Sequence, residues 1–125
     1  MADCPKTGEF SWNELTTPDP KGAMEFYTKL FGWSIEPMQM GPIEYNIVKA
    51  GEEMIGGIMQ AMPGAPNAWT PYVTVENIDE TVKQAEALGA KVCVPPTDIP
   101  NVGRFAILCD PAGAVVAGIS YLKRS

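Results

Sequence analysis

The chemistry open to this 125-residue chain is narrowed first by what it lacks, because it contains no histidine. Ser-His-Asp and Cys-His nucleophiles, imidazole acid–base catalysis and histidine-ligated metal sites are closed to it, so a general base must be Asp, Glu, Lys or Tyr. The cysteines Cys4, Cys93 and Cys109 are odd in number and carry no CxxC spacing, which supports neither a disulfide framework nor a zinc site. Cys93 and Cys109 fall in apolar, strand-like runs, where a free thiol is expected to pack as a small hydrophobe in a reducing, cytoplasmic compartment. The most suggestive spacing is Trp12-x-Glu14-x-Thr16. On a strand these three share one face and set an aromatic wall beside one fixed carboxylate, the usual make-up of a small-molecule pocket. Thr70, Tyr72 and Thr74 repeat that alternation later in the chain. A carboxylate on an otherwise buried face is costly unless paired, and Arg104 is the candidate partner, with a fork suited to bidentate contact. Glu14 reads either as part of a structural ion pair or a solvent-facing group, or as a ligand-orienting or proton-accepting group. Trp12, Tyr45, Trp69 and Tyr72 read either as core or dimer-interface packing or as surfaces on which a ligand stacks. No GxGxxG, P-loop or GxSxG motif is present.

The elements that must carry these residues are legible in the periodicity. Residues 9–16 alternate as a strand. Thr17-Pro18-Asp19-Pro20 then turns into a helix, with Asp19 as cap and Pro20 at the first position. Ala23, Phe26, Tyr27, Leu30 and Phe31 form an apolar stripe that Gly32 ends, and the aromatic and leucine members are assigned to the core. Strands are expected at 33–39, 43–49 and 54–60. The methionines at 38, 40, 54, 59 and 62 are read as core filling rather than as an adaptable pocket wall. A Pro/Gly-rich linker at about 61–67 follows, and then the pattern repeats. A strand at 69–76 leads to a helix capped by Asn77, with Ile78, Val82, Ala85 and Leu88 as its stripe and Gly89 as its stop. Strands at 91–94, 102–109 and 114–121 close the chain, the last two joined by the tight turn Asp110-Pro111-Ala112-Gly113. Gly56-Gly57, inside a strand run, marks a kink or a close backbone approach. The stop glycines Gly32 and Gly89 are 57 residues apart, as are Gly56 and Gly113. Such a repeat of pattern without repeat of letters suggests two similar units. The predicted architecture is α+β: two βαβββ modules, at about 9–60 and 68–121, forming curved mixed sheets with one helix each.

Composition sets the outer limits. The length suits one domain with a real core, and 46% hydrophobic residues with 19% charged read as globular. The net charge of −6, with Lys and Arg scattered, argues against nucleic-acid or anionic-membrane partners. The first residues, with Asp3 and no apolar run, do not read as a secretory signal.

Several segments together resemble the glyoxalase / bleomycin-resistance / extradiol-dioxygenase (vicinal oxygen chelate) superfamily. These are Thr17-Pro18-Asp19-Pro20 with Glu25-Phe26-Tyr27 and Leu30-Phe31-Gly32-Trp33, then Leu88-Gly89-Ala90-Lys91-Val92, and last Gly103-Arg104-Phe105 with Asp110-Pro111-Ala112-Gly113-Ala114. The resemblance spans residues 9–121. It implies paired βαβββ modules, cup-shaped sheets, frequent homodimers, and functions that run from isomerase, dioxygenase and lyase to drug sequestration without catalysis. Ion-holding members place one donor on the first and last strands of each module. Here those positions fall on Trp12 or Asn13, Gly56 or Gly57, Thr70 and Ala117, none of them a good ligand, with Glu14 the only carboxylate nearby. The expectation is a cytoplasmic, metal-independent, homodimeric small-molecule-binding protein without a cofactor. Its ligand-binding residues would be Trp12, Glu14, Tyr45, Thr70, Tyr72 and Arg104. The alternatives are a metal-dependent or Glu14-based lyase, isomerase or dioxygenase-like enzyme, with Glu14 the candidate catalytic residue, and a non-catalytic dimeric interaction module.

Overall fold

In the computed structural model, residues 5–40, 42–61, 67–99 and 101–122 are described. Eight strands and two helices run in the order β1 (Phe10–Thr17), α1 (Pro20–Phe31), β2 (Ser34–Met40), β3 (Ile43–Ala50), β4 (Glu53–Gln60), β5 (Ala68–Thr74), α2 (Ile78–Ala87), β6 (Lys91–Ile99), β7 (Gly103–Cys109) and β8 (Val115–Tyr121). This is the expected α+β chain, strand–helix–three strands, twice over. It divides into two compact units, Trp12–Thr70 and Ala2–Ser11 with Pro71–Ser125. Residues 5–11 therefore belong to the second unit. There Gly8 N–H donates to the Thr74 carbonyl at 2.8 Å, and Thr74 N–H to the Glu9 carbonyl at 2.9 Å.

The first unit has the strand order β2-β3-β4-β1. β1 and β4 run parallel, with Asn13 opposite Gly56, Glu14 opposite Gly57 and Leu15 opposite Ile58. β3 pairs antiparallel with β2 and with β4. Helix α1 begins where Asp19 Oδ1 accepts from Gly22 N–H at 3.1 Å and ends where Gly32 adopts a left-handed φ of 72°. Leu15, Val48 and Ile58 form the core, with Ala23, Met24, Tyr27, Trp33, Ile35, Ile55 and Trp69 packed against it. The assignment of the whole α1 stripe to the core is corrected here, since Phe26, Leu30 and Phe31 are each 57% exposed and no α1 residue is fully buried. The stripe is wider than one side of a sheet can cover, and the face bearing Ala23, Met24 and Tyr27 turns inward instead. The core role given to the methionines is corrected likewise for Met38 and Met54, which are exposed, whereas Met59 is half-buried, and the Met40 side chain and Met62 lie outside what the structure describes.

The second unit has the order β5-β8-β7-β6. β5 runs parallel to β8, and β7 pairs antiparallel with β6 and β8. Asn77 Oδ1 caps α2 by accepting from Glu80 N–H. Ile78, Val82, Ala106 and Leu108 form its core, with Val75, Ala85 and Val92 alongside. Leu88, expected in that stripe, is 79% exposed, because α2 ends one residue earlier and Leu88 serves as its C-terminal cap. β6 runs on through Pro95-Pro96 to Ile99, with register irregularities between Val92 and Val94 and between Val94 and Thr97. Prolines are tolerated there because bulged positions need no ladder N–H. The first irregularity places Cys93 on the surface, which corrects the expectation of a buried apolar thiol. In the Asp110–Gly113 turn, Asp110 Oδ1 accepts from both Ala112 and Ala114 N–H at 2.9 Å. No described helix is long and apolar enough to cross a membrane.

Candidate functional site

Alternation along β1 sends Leu15 into the core beside Ile58 and turns Trp12, Glu14 and Thr16 to the opposite face. Tyr45 reaches that face from β3. Its hydroxyl accepts from Trp12 Nε1–H at 2.8 Å and donates to a Glu14 carboxylate oxygen at 2.9 Å. Indole, phenol and carboxylate thus form a directed chain in which each donor polarises the next, and its last link is charge-assisted. Tyr45 is 8% exposed, whereas Trp12 and Glu14 are half-buried. The carboxylate is held by the fold yet not sealed inside it.

Gly57 makes the arrangement possible. It is the register partner of Glu14 on β4, and a Cβ there would collide with the Tyr45 ring and hydroxyl. Only a glycine lets the ring lie across the strand. Next to it, a Cβ on Gly56 would strike the Asn13 carbonyl, so the two glycines answer two close approaches on opposite faces. The signal for this was the Gly-Gly pair inside a strand run, which marks a close approach without saying what approaches.

Three residues expected at one ligand site are therefore together: Trp12, Glu14 and Tyr45. The other three lie as follows. Thr70 and Tyr72 are buried on a shared face of β5, and Tyr72 packs against the Phe105 ring at 6.2 Å between centroids. The proposed pairing of Arg104 with Glu14 is corrected, because the guanidinium is given to other carboxylates. Its Nε and Nη2 donate to Asp79 at 3.0 and 3.1 Å, and Nη1 donates to Asp98 at 3.0 Å. Asp98 is its cross-strand partner on β6, and Asp79 sits in the first turn of α2. The Arg104 hydrogen bonds hold the Asp79 carboxyl below the usual carboxylate range, and the two carboxylates raise the guanidinium's pKa in return. The sequence offered no spacing that favoured Asp79 over Glu14.

A hollow of about 230 Å3 opens on the other face of the first unit's sheet, where Asn13, Trp33 and Trp69 stand over Val48, Ile55 and Gly56. Tyr27, Trp33 and Trp69 form a ring cluster there, and Trp69 Nε1–H donates to the Tyr27 hydroxyl at 3.1 Å. The hollow is smaller than the roughly 300–1,000 Å3 of ordinary ligand pockets. Its aromatic members are already spent on one another, so it ranks below the Trp12–Tyr45–Glu14 face.

The model of the glyoxalase-like domain matches residues 13–117. The chain belongs to this family. The glyoxalase-like domain is 43% identical over 112 residues to CFP32 of Mycobacterium tuberculosis (strain CDC 1551 / Oshkosh), whose name marks it provisionally as a glyoxylase; 88% of this chain and 43% of that protein are covered. It is 28% identical over 126 residues to the anthracycline biosynthesis protein DnrV of Streptomyces peucetius, covering 88% of this chain and 46% of that one. The chain thus spans less than half the length of these curated relatives. Among solved structures, methylmalonyl-CoA epimerase from Mycobacterium tuberculosis superposes with a TM-score of 0.66 at 11% identity, over 98% of this chain and 94% of that one. This is a likeness of fold, in keeping with the glyoxalase-like family match and with the vicinal oxygen chelate superfamily that the sequence resembles.

That superfamily implies a divalent ion, and the residues present do not fit one. Glu14 is the only strong donor among the expected positions. Its β4 counterpart is Gly57, whose side-chain space the Tyr45 ring fills, and the β8 position is Ala117, opposite Tyr72. Among the described residues, no three of His, Cys, Asp and Glu stand together as an ion-holding group. A divalent ion needs about four to six donors.

Proposed function

We propose that this glyoxalase-like domain binds a small organic molecule, aromatic and neutral or cationic, on the Trp12–Tyr45–Glu14 face without a metal ion. The observation that carries the reading is the hydrogen-bonded chain over Gly57, which fixes one carboxylate beside an indole and a phenol where ion-holding relatives need donors. Trp12 supplies a flat apolar wall, and a half-buried carboxylate attracts a cation more strongly than a fully solvated one. The net charge of −6 favours the approach of a cation. DnrV's name places that relative in anthracycline biosynthesis, so an anthracycline, a polycyclic aromatic compound that carries an aliphatic amine, is the first probe.

Thermal-shift titration with aromatic compounds, neutral ones and ones that carry an aliphatic amine, that anthracycline included, tests the reading. Binding to the folded state alone raises Tm by mass action, by about 2.7 kcal/mol of stability at a hundredfold excess over Kd. Stabilisation that Glu14→Gln abolishes for cationic probes is the expected result. No stabilisation across such a set overturns it.

A second reading draws on the same link. A carboxylate that accepts from a phenol is a proton-transfer couple, with Glu14 as base and Tyr45 as the group that holds it in place. Exchange of an acidic C–H of a carbonyl compound with deuterium from solvent, lost in Glu14→Gln, would favour it over simple binding. We further propose that the protein works as a homodimer in the cytoplasm. The exposed apolar α1 face of Phe26, Leu30 and Phe31 supports association, and light scattering reads the mass directly.

A further inference from the structure

We propose that Cys93 and Cys109 form a redox-active dithiol on the β6–β7 pair, one that a peroxide closes to a disulfide and a dithiol reductant reopens. The two sulfurs stand 2.9 Å apart, and Cys93 is exposed while Cys109 is half-buried. The contact is not a consequence of an ordinary ladder. Cys109 is the register partner of Lys91, so Cys93 is its diagonal neighbour, and diagonal pairs on antiparallel strands ordinarily stand roughly 7–8 Å apart. The bulge between Val92 and Val94 leaves Cys93 outside the register and swings it over Cys109.

The placement gives closure a structural effect. β6 is the last strand in the order of the second unit, and α2 packs its apolar stripe against Val92, next to Cys93. A link from Cys93 to Cys109 ties this end strand to β7 at its least regular point. It also encloses the β6–β7 turn at Asn101, whose φ is 66°. Neither thiol takes part in the Trp12–Tyr45–Glu14 chain, so the property is independent of the proposed binding function.

The reaction balances with a peroxide as oxidant. One thiolate attacks a peroxide oxygen, breaking the O–O bond, releasing an alcohol or water and leaving a sulfenic acid. The second thiol attacks that sulfur, the S–S bond forms, and water leaves with the sulfenic oxygen. Two thiols lose two protons and two electrons, and the peroxide gains them. The proton shared with Cys109, with burial adding to it, raises the Cys93 pKa, so closure runs faster as pH rises.

Intact-mass and peptide analysis of the full chain after one equivalent of hydrogen peroxide tests the proposal. The expected product has lost two hydrogens (about 2 Da), carries a Cys93–Cys109 link and returns to the starting mass with a dithiol reductant. Its Tm is higher by roughly 12 °C, from closing a loop of this length. Cys93→Ser, already folded as the reduced protein is, should show neither the mass loss nor the rise. Three results overturn the proposal: a link to Cys4 in place of Cys93–Cys109, oxygen addition at one sulfur with the other left as free thiol, or no loss of thiols.

Discussion

Replacing Tyr45 with Phe isolates the hydrogen-bonded chain from the packing around it. The Phe ring still lies over Gly57, so the cavity and transfer contributions stay near zero. Two bonds go: the acceptor that Trp12 Nε1–H uses at 2.8 Å and the donor that reaches Glu14 at 2.9 Å. A neutral bond is worth about 0.5–1.5 kcal/mol net and one to a charged group about 1.5–3. Both outer residues are half-buried, so water replaces part of what is lost. The expected destabilisation is about 2–3 kcal/mol. For a domain of this length the unfolding entropy converts that to a Tm lower by about 8–12 °C. Thermal and urea unfolding of Tyr45→Phe, Trp12→Phe and the double variant give the cycle, with a coupling of about 1 kcal/mol between the two sites. A Tyr45→Phe protein that melts within about 1 °C of the parent, or strictly additive variants, would refute the chain.

Three further outcomes follow from the same structure. Gly57→Ala should be far more damaging than its single methyl suggests, because the new Cβ displaces the Tyr45 ring; near-UV circular dichroism should lose aromatic signal, and stability should fall by about 3 kcal/mol or more. Arg104→Gln should move the Asp79 carboxyl titration, followed by NMR, up toward the ordinary range. Because the Asp79 pKa is lowered in the folded state, this pair stabilises above the unfolded carboxylate pKa and its contribution is lost as pH falls through the lower folded value. The variant should therefore lack that part of the acid dependence, and salt should mute the difference since both groups are exposed. Burial pushes the Tyr121 phenol up while its bond to Ser11 Oγ, at 2.8 Å, pulls it down. Ser11→Ala should push its absorbance titration higher still. A raised phenol pKa favours the neutral form, so the stability tied to Tyr121 is present below the unfolded value and lost as pH climbs through the folded one.

The succession of elements was legible because each boundary carries its own local chemistry. Asp19-Pro20 and Gly32 bracket α1, Asn77 opens α2, and Asp110-Pro111-Ala112-Gly113 turns the last hairpin; none of these depends on distant residues. Burial of the α1 stripe was misread for the opposite reason. Periodicity says which residues share a face but not how much sheet is there to cover them, and Phe26, Leu30 and Phe31 exceed it. At the site, alternation alone put Trp12 and Glu14 on one face. Tyr45 could be named as an aromatic candidate, but its contact with both depends on the β3–β4–β1 register and on Gly57. Arg104 went astray because a bidentate cation fits any carboxylate, and only the fold shows that Asp79 and Asp98 are the near ones. The bulge that joins Cys93 to Cys109 had no signature beyond the Pro95-Pro96 that follows it.

The claim on which the account rests is that Glu14, held by Tyr45, recognises an organic ligand with no ion between them. Isothermal titration of an anthracycline into the parent protein and Glu14→Gln, each with a chelator and with added manganese or zinc, tests it most directly. The account predicts the same affinity for the parent with chelator as with metal, and a loss of about tenfold or more in Glu14→Gln, the equivalent of one charge-assisted contact. Affinity that vanishes with the chelator and returns with metal would contradict it.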